Sequence, residues 1–455
     1  MPFTEFCCRA GGSNLNAGSR DGSAEPAAAA DFTYASGSWV ASTGVFTVAS
    51  GDPAADGVAV GDFVSVYDDS ATVTGFVGRV TAVSSTTITV SLTAKAGTAP
   101  VDGTSNRTVK VGGAWQGPNG AVGFPFNFIA PTLTNATGNY PRINFKNDQT
   151  YGITAGLTQT IAGPIAFQGY TSSYGDKGRA TIDGGSVGAS FVLITSAVAN
   201  LVYADLILNR NGATGAQGGT SITSNEVILL RCVVSNTRGS GISGALDAYE
   251  CESFGNVARG ISTSSGVLIR CVSHHNGIEG FNSVAPMINC ISYKNSGSGF
   301  VTATTVGNYW YGCDAYDNAV HGFYSSNAGA QSLGMENCNS IGNTGSGMFI
   351  AATGQRSGFV RNCGFGDNAG GDIGTLPAGT ALLFEDNITY PTGTTPWVDP
   401  ENGDFTPKPS PGSGAGAAGY GQNLVGYLNI GALQSEPGEE WAPPVRIEPT
   451  YALGI

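Results

Sequence analysis

The sequence has little charge and no long apolar run, and each absence excludes a class of protein. Charged residues make up 12% of the 455 residues, and 33 acidic against 20 basic side chains give a net charge of −13. Because no basic cluster is present to neutralise phosphates, neither a nucleic acid nor an anionic membrane surface is expected as a partner. No apolar stretch reaches the roughly 18 residues of a membrane-spanning helix, so we expect no membrane insertion.

Signals for export and for common catalytic chemistry are also missing. The N-terminus has no basic start followed by an apolar run, so it predicts no secretory signal peptide and indicates synthesis in the cytoplasm. Ser/His/Asp order, a phosphate-binding loop and metal-ligand spacing are absent. Cys7 and Cys8 lie in an expected extended arm without the two further ligands that a zinc site needs. We therefore expect no metal and no cofactor.

The chain instead contains a repeat built around its cysteines. Seven of the nine cysteines lie between residues 227 and 373, and each begins a similar phrase, such as CISYKNSGSGF at Cys290. The copies are 19 to 25 residues apart, and a large apolar residue follows each cysteine by ten places. Self-similarity at this period indicates a solenoid in which each repeat is one coil. The cysteines are Cys232, Cys251, Cys271, Cys290, Cys313, Cys338 and Cys363, and the asparagines that follow them are Asn236, Asn256, Asn276, Asn295, Asn318, Asn343 and Asn368.

Composition decides the type of solenoid. Apolar residues come in threes and fours between Gly, Asn and Ser, which indicates short strands and tight turns. Few leucines per repeat argue against a leucine-rich repeat. The pattern predicts an all-β, right-handed, single-stranded parallel β-helix with the cysteines buried as small apolar residues rather than paired in disulfides. The residues three before and two after each cysteine should also point inward. The asparagines should sit in left-handed turns and bond to the next coil.

This repeat resembles the parallel β-helix repeat of pectate-lyase-like proteins, a fold also found in phage virion and spike proteins. The segments PRINFKNDQTYGIT and ATIDGG follow a capping stretch, as at the start of such chains. The resemblance implies the fold, and it implies that an enzyme of this kind would use aspartates for calcium and a basic residue to remove a proton. Aromatic residues expected to plug the open end of the coils are Phe124, Phe126 and Phe128.

The chain is predicted to have four parts. Residues 1–30 form an N-terminal arm, and residues 31–113 form a small antiparallel β-barrel or sandwich, read from five short alternating strands. The latter contains neither His nor Cys, which favours a docking module. Residues 114–400 form the β-helix. Residues 401–455 form a closing segment and an extended C-terminal arm.

One polar column is the strongest candidate for catalysis. Four places after the cysteine, three consecutive coils carry His275, Lys294 and Asp317, about one strand spacing apart. The alternative interpretation is a solvated turn column, since neighbouring coils carry Gly255 and Gly342 at the same position.

A second outward column is apolar, which favours an interface or a sugar-stacking surface over scattered surface residues. We call this the outer stripe: Phe254, Val272, His274, Ile291, Tyr293 and Tyr316. The extended C-terminal arm has four prolines after Gln434, so we expect it to lie along the rod or along a neighbouring subunit. Trp441 and Tyr451 are its expected contact residues.

Three functional classes remain open. The first is a structural component of a tailed-phage particle (a decoration, fibre or spike protein), whose partners would be other virion proteins, copies of itself in a homo-oligomer, and a host-surface polysaccharide. The second is a spike enzyme, a lyase or glycosidase, that degrades a surface polysaccharide. The third is a bacterial surface adhesin or filament subunit, which would be extracellular. The first is preferred because an expected docking module precedes the predicted rod and no clear catalytic cluster is present, an argument by analogy.

Overall fold

In a computed structural model, nearly all the secondary structure is strand, and the predicted fold class is confirmed: the chain contains the long parallel sheets of a β-helix and a small closed antiparallel barrel. The described residues divide into two compact units, the first lying within residues 4–185 and 193–208 and the second within residues 209–408. The structure describes residues 4–11, 13, 16–17, 25–69, 75–97, 99–115, 141–153, 157–159, 165–185, 193–196, 199–209, 219–223, 226–284, 286–302, 308–326, 331–351 and 356–408.

The barrel lies in the first unit and is a closed antiparallel sheet. Alternating apolar residues fill it, among them the buried rings of Trp39, Phe46 and Phe76. It has six strands instead of the expected five, because a turn at Gly44, with φ of +70°, splits the first predicted strand. The elements are β2 Phe32–Val40, β3 Val45–Thr47, α1 Pro53–Asp56, β4 Phe63–Asp68, β5 Gly75–Val83, β6 Thr87–Gly97 and β7 Gly103–Val111. The strands close in the order β2-β3-β6-β5-β4-β7.

The first unit also contains parallel strands of the β-helix. Strand β1 (Thr4–Cys8) pairs in parallel with β8 (Pro141–Lys146), so part of the region expected to be an arm is a sheet strand. The ring of Phe6 stacks on Trp115 with 5.4 Å between centroids, and Cys7 and Cys8 are buried. Burial of these side chains explains why the segment is ordered. The strands are β1 Thr4–Cys8, β8 Pro141–Lys146, β9 Thr150–Gly152, β10 Leu157–Gln159, β11 Ile165–Tyr170, β12 Ala180–Asp183, β13 Ile194–Ser196, β14 Leu201–Ala204 and β15 Leu206–Asn209.

The second unit stacks successive coils into three parallel sheets. The first sheet contains β17 Val227–Leu230, β20 Asp247–Tyr249, β23 Leu268–Ile269, β26 Met287–Ile288, β29 Asn308–Tyr311, β32 Gln331–Glu336, β35 Arg356–Arg361 and β37 Ala381–Glu385. The second contains β18 Val233–Ser235, β21 Glu252–Phe254, β24 Val272–His274, β27 Ile291–Tyr293, β30 Asp314–Tyr316, β33 Asn339–Ile341, β36 Gly364–Gly366 and β38 Ile388–Thr389. The third contains β16 Thr220–Ile222, β19 Ile242–Ala245, β22 Ile261–Ser265, β25 Phe281–Ser283, β28 Phe300–Thr302, β31 Phe323–Ser325 and β34 Met348–Ile350.

The inward columns of these sheets are occupied as predicted. All seven repeat cysteines are buried with free thiols, and the residues three before and two after them are buried too. Residues ten after the cysteine stack in the same way: the rings of Phe281, Phe300 and Phe323 lie parallel, with 4.9 and 4.8 Å between successive centroids. Like residues therefore cover like residues from coil to coil, which leaves few gaps in the core.

The asparagine column forms a ladder of side-chain amides. Asn276 donates to Asn295, and Asn295 donates to Asn318, over 2.9 and 3.0 Å. The expected bond to the next coil is present, but the expected left-handed backbone lies elsewhere. In all copies after the first, the residue before the asparagine has the positive φ, as at Lys294 (φ 53°), while Asn236 of the first copy takes it itself. The left-handed backbone lies at the preceding residue because it turns the chain so that the asparagine side chain points inward.

The buried thiols give a first testable prediction. Replacing Cys290 with Ser should lower the free energy of unfolding by about 1–3 kcal/mol, because a hydroxyl would be buried without an assured partner. Cys290 Sγ lies 3.5 Å from the carbonyl oxygen of Ile288, and a hydroxyl on its shorter bond would lie farther away. Cys290→Ala should cost less. Urea unfolding followed by circular dichroism measures both variants.

Thiol labelling checks the same prediction without mutation. Burial raises the pKa of the Cys251 and Cys271 thiols well above the usual value, so they stay protonated and unreactive at neutral pH. Because all seven repeat thiols are buried away from reagents, Ellman's reagent should modify them only after denaturation. Rapid reaction of all seven in the native protein would show that the inward column is wrong.

The described part of the chain ends in a short hairpin. β39 Trp397–Asp399 and β40 Asp404–Pro407 pair antiparallel across a 3₁₀ turn, Pro400–Asn402, which ends at Gly403 with φ of +84°. We call residues 390–408, which include this hairpin, the cover segment. Within the described ranges, no helix is long and apolar enough to cross a membrane.

Candidate functional site

The cover segment packs on the outer face of the second sheet. Trp397 and Phe405 are each only 1% exposed, and they form one apolar cluster with Ile291 and Tyr316 of the outer stripe. The ring of Phe405 lies 5.2 Å from that of Tyr293, and the ring of Trp397 lies 5.8 Å from that of Tyr316. The central part of the outer stripe is therefore occupied by the chain's own cover segment.

The N-terminal end of the outer stripe is less covered. His274 is sandwiched between Phe254 and Tyr293, with ring centroids 5.0 and 4.6 Å away. Its Nε2 lies 3.0 Å from a carboxylate oxygen of Glu252. Val272, half-buried, packs against the covered cluster. This end therefore presents a partly buried aromatic ladder whose imidazole has a carboxylate partner.

The three candidate catalytic residues do come together on consecutive coils. Each takes a left-handed backbone, with φ of 53° at His275, 53° at Lys294 and 49° at Asp317. Gly255 and Gly342 occupy the same turn position with φ of 64° and 69°. All five positions of this column therefore share one left-handed turn conformation, which glycine, asparagine and aspartate adopt more readily than most residues.

Glu401 of the cover segment occupies this polar column. Its carboxylate lies 2.7 Å from Lys294 Nζ, which also donates to the Glu401 carbonyl oxygen over 2.8 Å, and it accepts a short hydrogen bond from the Tyr316 hydroxyl. These hydrogen bonds lower the pKa of Glu401. Burial and the nearby Glu401 charge raise the pKa of Asp317, and burial with neighbouring charge lowers that of His275. The column thus contains acidic and basic side chains, but its Lys294 is already paired with Glu401 of the same chain.

Other predicted positions fall outside the described residues: Trp441, Tyr451, the 436–455 arm, and Phe124, Phe126 and Phe128. In the part of the chain that the structure describes, no three His, Cys, Asp or Glu side chains lie close enough to hold a metal ion.

The sequence predicts a closing segment from residue 401 but does not predict that this part of the chain packs on the second sheet. Trp397, Glu401 and Phe405 stand in WVDPENGDF, where two large aromatic rings flank a Pro/Gly turn. Two such rings in a short polar segment indicate a buried docking contact. That signal was available, but it does not reveal which face of the β-helix receives the rings.

Several solved structures are similar to this chain at low identity. The mannuronan C-5 epimerase AlgE4 A-module of Azotobacter vinelandii is 16% identical with a TM-score of 0.44, and the match covers 58% of this chain and 90% of that one. Pectate lyase Pel9A is 13% identical, with a TM-score of 0.41 and coverage of 65% and 88%. ORF18 of Geobacillus virus E2 is 13% identical, with a TM-score of 0.38 and coverage of 58% and 56%.

No protein-family model and no curated protein matches the sequence. Membership of the pectate-lyase-like repeat family therefore stays a prediction.

Proposed function

We propose that this protein is a non-enzymatic structural component of a virus particle of the tailed-phage type, in which the β-helix serves as a rigid support. The observation that carries the non-enzymatic part is the cover segment on the second sheet. Glu401 pairs with Lys294 and Trp397 packs on Tyr316, so a substrate approaching the candidate catalytic column would have to displace them.

The rigidity of the support follows from its ladders. The buried asparagine amides bond each coil to the next, and stacked rings such as Phe300 on Phe323 fill the interior. In the sequence, a closed antiparallel barrel lies between β1 and the other strands of the β-helix, which supports the predicted docking module. Closure leaves the barrel no open sheet edge, a property suited to a separate module.

Mass spectrometry tests the location. Particles purified by density gradient from an infected culture should contain the chain at a constant ratio to the capsid protein, and antibody labelling in electron micrographs should place it on the particle. Recovery of the chain only in the cell-surface fraction would overturn the proposal in favour of an adhesin or filament subunit.

A further inference from the structure

The C-terminal end of the coil stack is open in the described part of the chain. In the first sheet, Phe384 follows Val360 in the inward column, yet Phe384 is 41% exposed while Val360 is fully buried. At the third sheet, Ile373 bridges to the buried Met348 and is itself partly exposed. Inward side chains that are buried in the preceding coil are therefore uncovered in the last one.

Strand β37 also leaves one edge of the first sheet open. It has five residues, it is the last strand in the sheet order, and among the residues that the structure describes it pairs only with β35. Its outward residue Leu383 is 55% exposed. A strand edge with exposed apolar side chains is prone to pair with another segment, and the terminal coil of a solenoid needs a cap. A further segment is therefore expected to cover this end.

The size of the open end favours a segment of the same chain over a second copy. A five-residue strand is roughly 17 Å long, so a coil with three such sides encloses roughly 100–300 Å². A stable interface between two proteins buries about 800 Å² on each partner. A segment of the same chain docks without the loss of translational freedom that association of two molecules costs. A small surface can therefore hold it.

The C-terminal arm contains a segment with the pattern of a half-buried strand. Between residues 445 and 453, every second residue is apolar, and the residues between them are mostly polar. Such alternation indicates a strand with one buried face. The apolar positions are Val445, Ile447, Pro449, Tyr451 and Leu453, and the intervening positions are Arg446, Glu448, Thr450 and Ala452.

Pro449 is compatible with the outermost strand of a sheet. Alternate residues of a strand direct their backbone N–H groups to the same side, so residue 449 faces away from β37 when Arg446 and Glu448 pair with it. A missing N–H on the open side of an edge strand removes no ladder hydrogen bond. The proline therefore fits a final strand and disfavours a central one.

The chain is long enough to bring this segment to the open end. Phe405 of the cover segment packs on Tyr293 of β27. Four strand steps separate β27 from β38, the last strand of the second sheet, which is about 19 Å. Residues 409–444 can span up to roughly 120 Å. Residues 445–453 are therefore within reach of β37 in the same molecule.

We propose that residues 445–453 pair with the open edge of β37 as the next strand of the first sheet, with their apolar face over the end of the core. This strand buries the uncovered side chains of the last coil. It also leaves an edge with a proline, which resists further pairing. The inference concerns the packing of the chain on itself and is independent of the virion role.

Hydrogen exchange of the full-length protein tests the pairing. Backbone amides of residues 381–385 should exchange at least about tenfold faster in Ile447→Asp than in the wild type, because the carboxylate would be buried against the core. Thr450→Asp places the same charge on the polar face, so it is the matched control and should exchange like the wild type. Unreactive repeat cysteines in both variants would show that the coils stay folded.

Crosslinking tests which segment covers the end. With p-benzoyl-L-phenylalanine in place of Phe384, irradiation should join this position to a peptide containing residues 445–453. In a mixture of isotope-labelled and unlabelled protein, both crosslinked peptides should carry the same label. The same photoreactive residue in place of Val257, which is 58% exposed on an earlier coil, is the control and should not react with residues 445–453.

Two results would each overturn the inference. One is equal exchange of residues 381–385 in Ile447→Asp and the wild type. The other is a crosslink from position 384 to residues 409–435 or to a chain of the other label, because another segment or a second copy would then cover the end. Neither result bears on the particle assignment by mass spectrometry.

Discussion

Asn295→Ala should lower the free energy of unfolding by about 2–6 kcal/mol, because two buried donors lose their acceptor at about 1–3 kcal/mol each. The Asn295 side-chain oxygen accepts from the backbone N–H of Asn276 over 3.1 Å and from its side-chain amide over 2.9 Å. Its own amide donates to Asn318 and to the carbonyl oxygen of Ser273. Alanine replaces none of these bonds, and the residue is only 2% exposed, so water has little access to the orphaned groups.

Equilibrium urea unfolding, followed by circular dichroism, measures this loss. Ser296→Ala changes the exposed neighbouring residue and should shift stability by no more than about 0.5 kcal/mol. Hydrogen exchange should also quicken at the amides of residues 276–296, since the broken rung lies there. A stability change in Asn295→Ala as small as that in Ser296→Ala would show that the amide ladder contributes little to the stacking of the coils.

Trp397→Ala should release the cover segment while the coils stay folded. The tryptophan ring contacts Tyr316 and Phe405 and is almost fully buried. A buried Trp→Ala change costs about 3–5 kcal/mol, and a two-stranded hairpin without such an anchor is marginal in water. Backbone amides in residues 397–408 should lose protection in hydrogen exchange, and limited proteolysis should cut within this segment.

Val398→Ala is the matched control for this variant. Val398 is the next residue of the same strand but is 51% exposed, so its truncation should leave exchange and proteolysis unchanged. Equal protection of residues 397–408 in Trp397→Ala and the wild type would show that the ring does not hold the segment on the second sheet.

The columns of the β-helix could be predicted from the sequence because each coil repeats the same local rule. A cysteine recurs at one inward position, and Phe281, Phe300 and Phe323 recur at another, so burial at one coil implies burial at the next. The ladder of asparagines was predictable for the same reason. Repetition makes the pattern visible without any knowledge of long-range contacts.

The occupation of the outer stripe was not predictable in this way. The contact between Trp397 and Tyr316 joins residues 81 apart in a part of the chain with no repeat, and no local pattern specifies it. The candidate column of His275, Lys294 and Asp317 illustrates the same limit. Its stacking follows from the repeat, but the pairing of Lys294 with Glu401 depends on where a non-repetitive segment folds back.

A polysaccharide degradation assay tests the central claim most directly. Wild-type protein and Trp397→Ala, in which the candidate column is uncovered, are incubated with purified surface polysaccharides of the host culture, and products are followed by size-exclusion chromatography and absorbance at the wavelength of unsaturated uronates. A structural role predicts intact polysaccharide with both proteins. Chain shortening by either one, abolished by His275→Ala or Asp317→Ala with the fold preserved, would contradict the account and make the protein an enzyme.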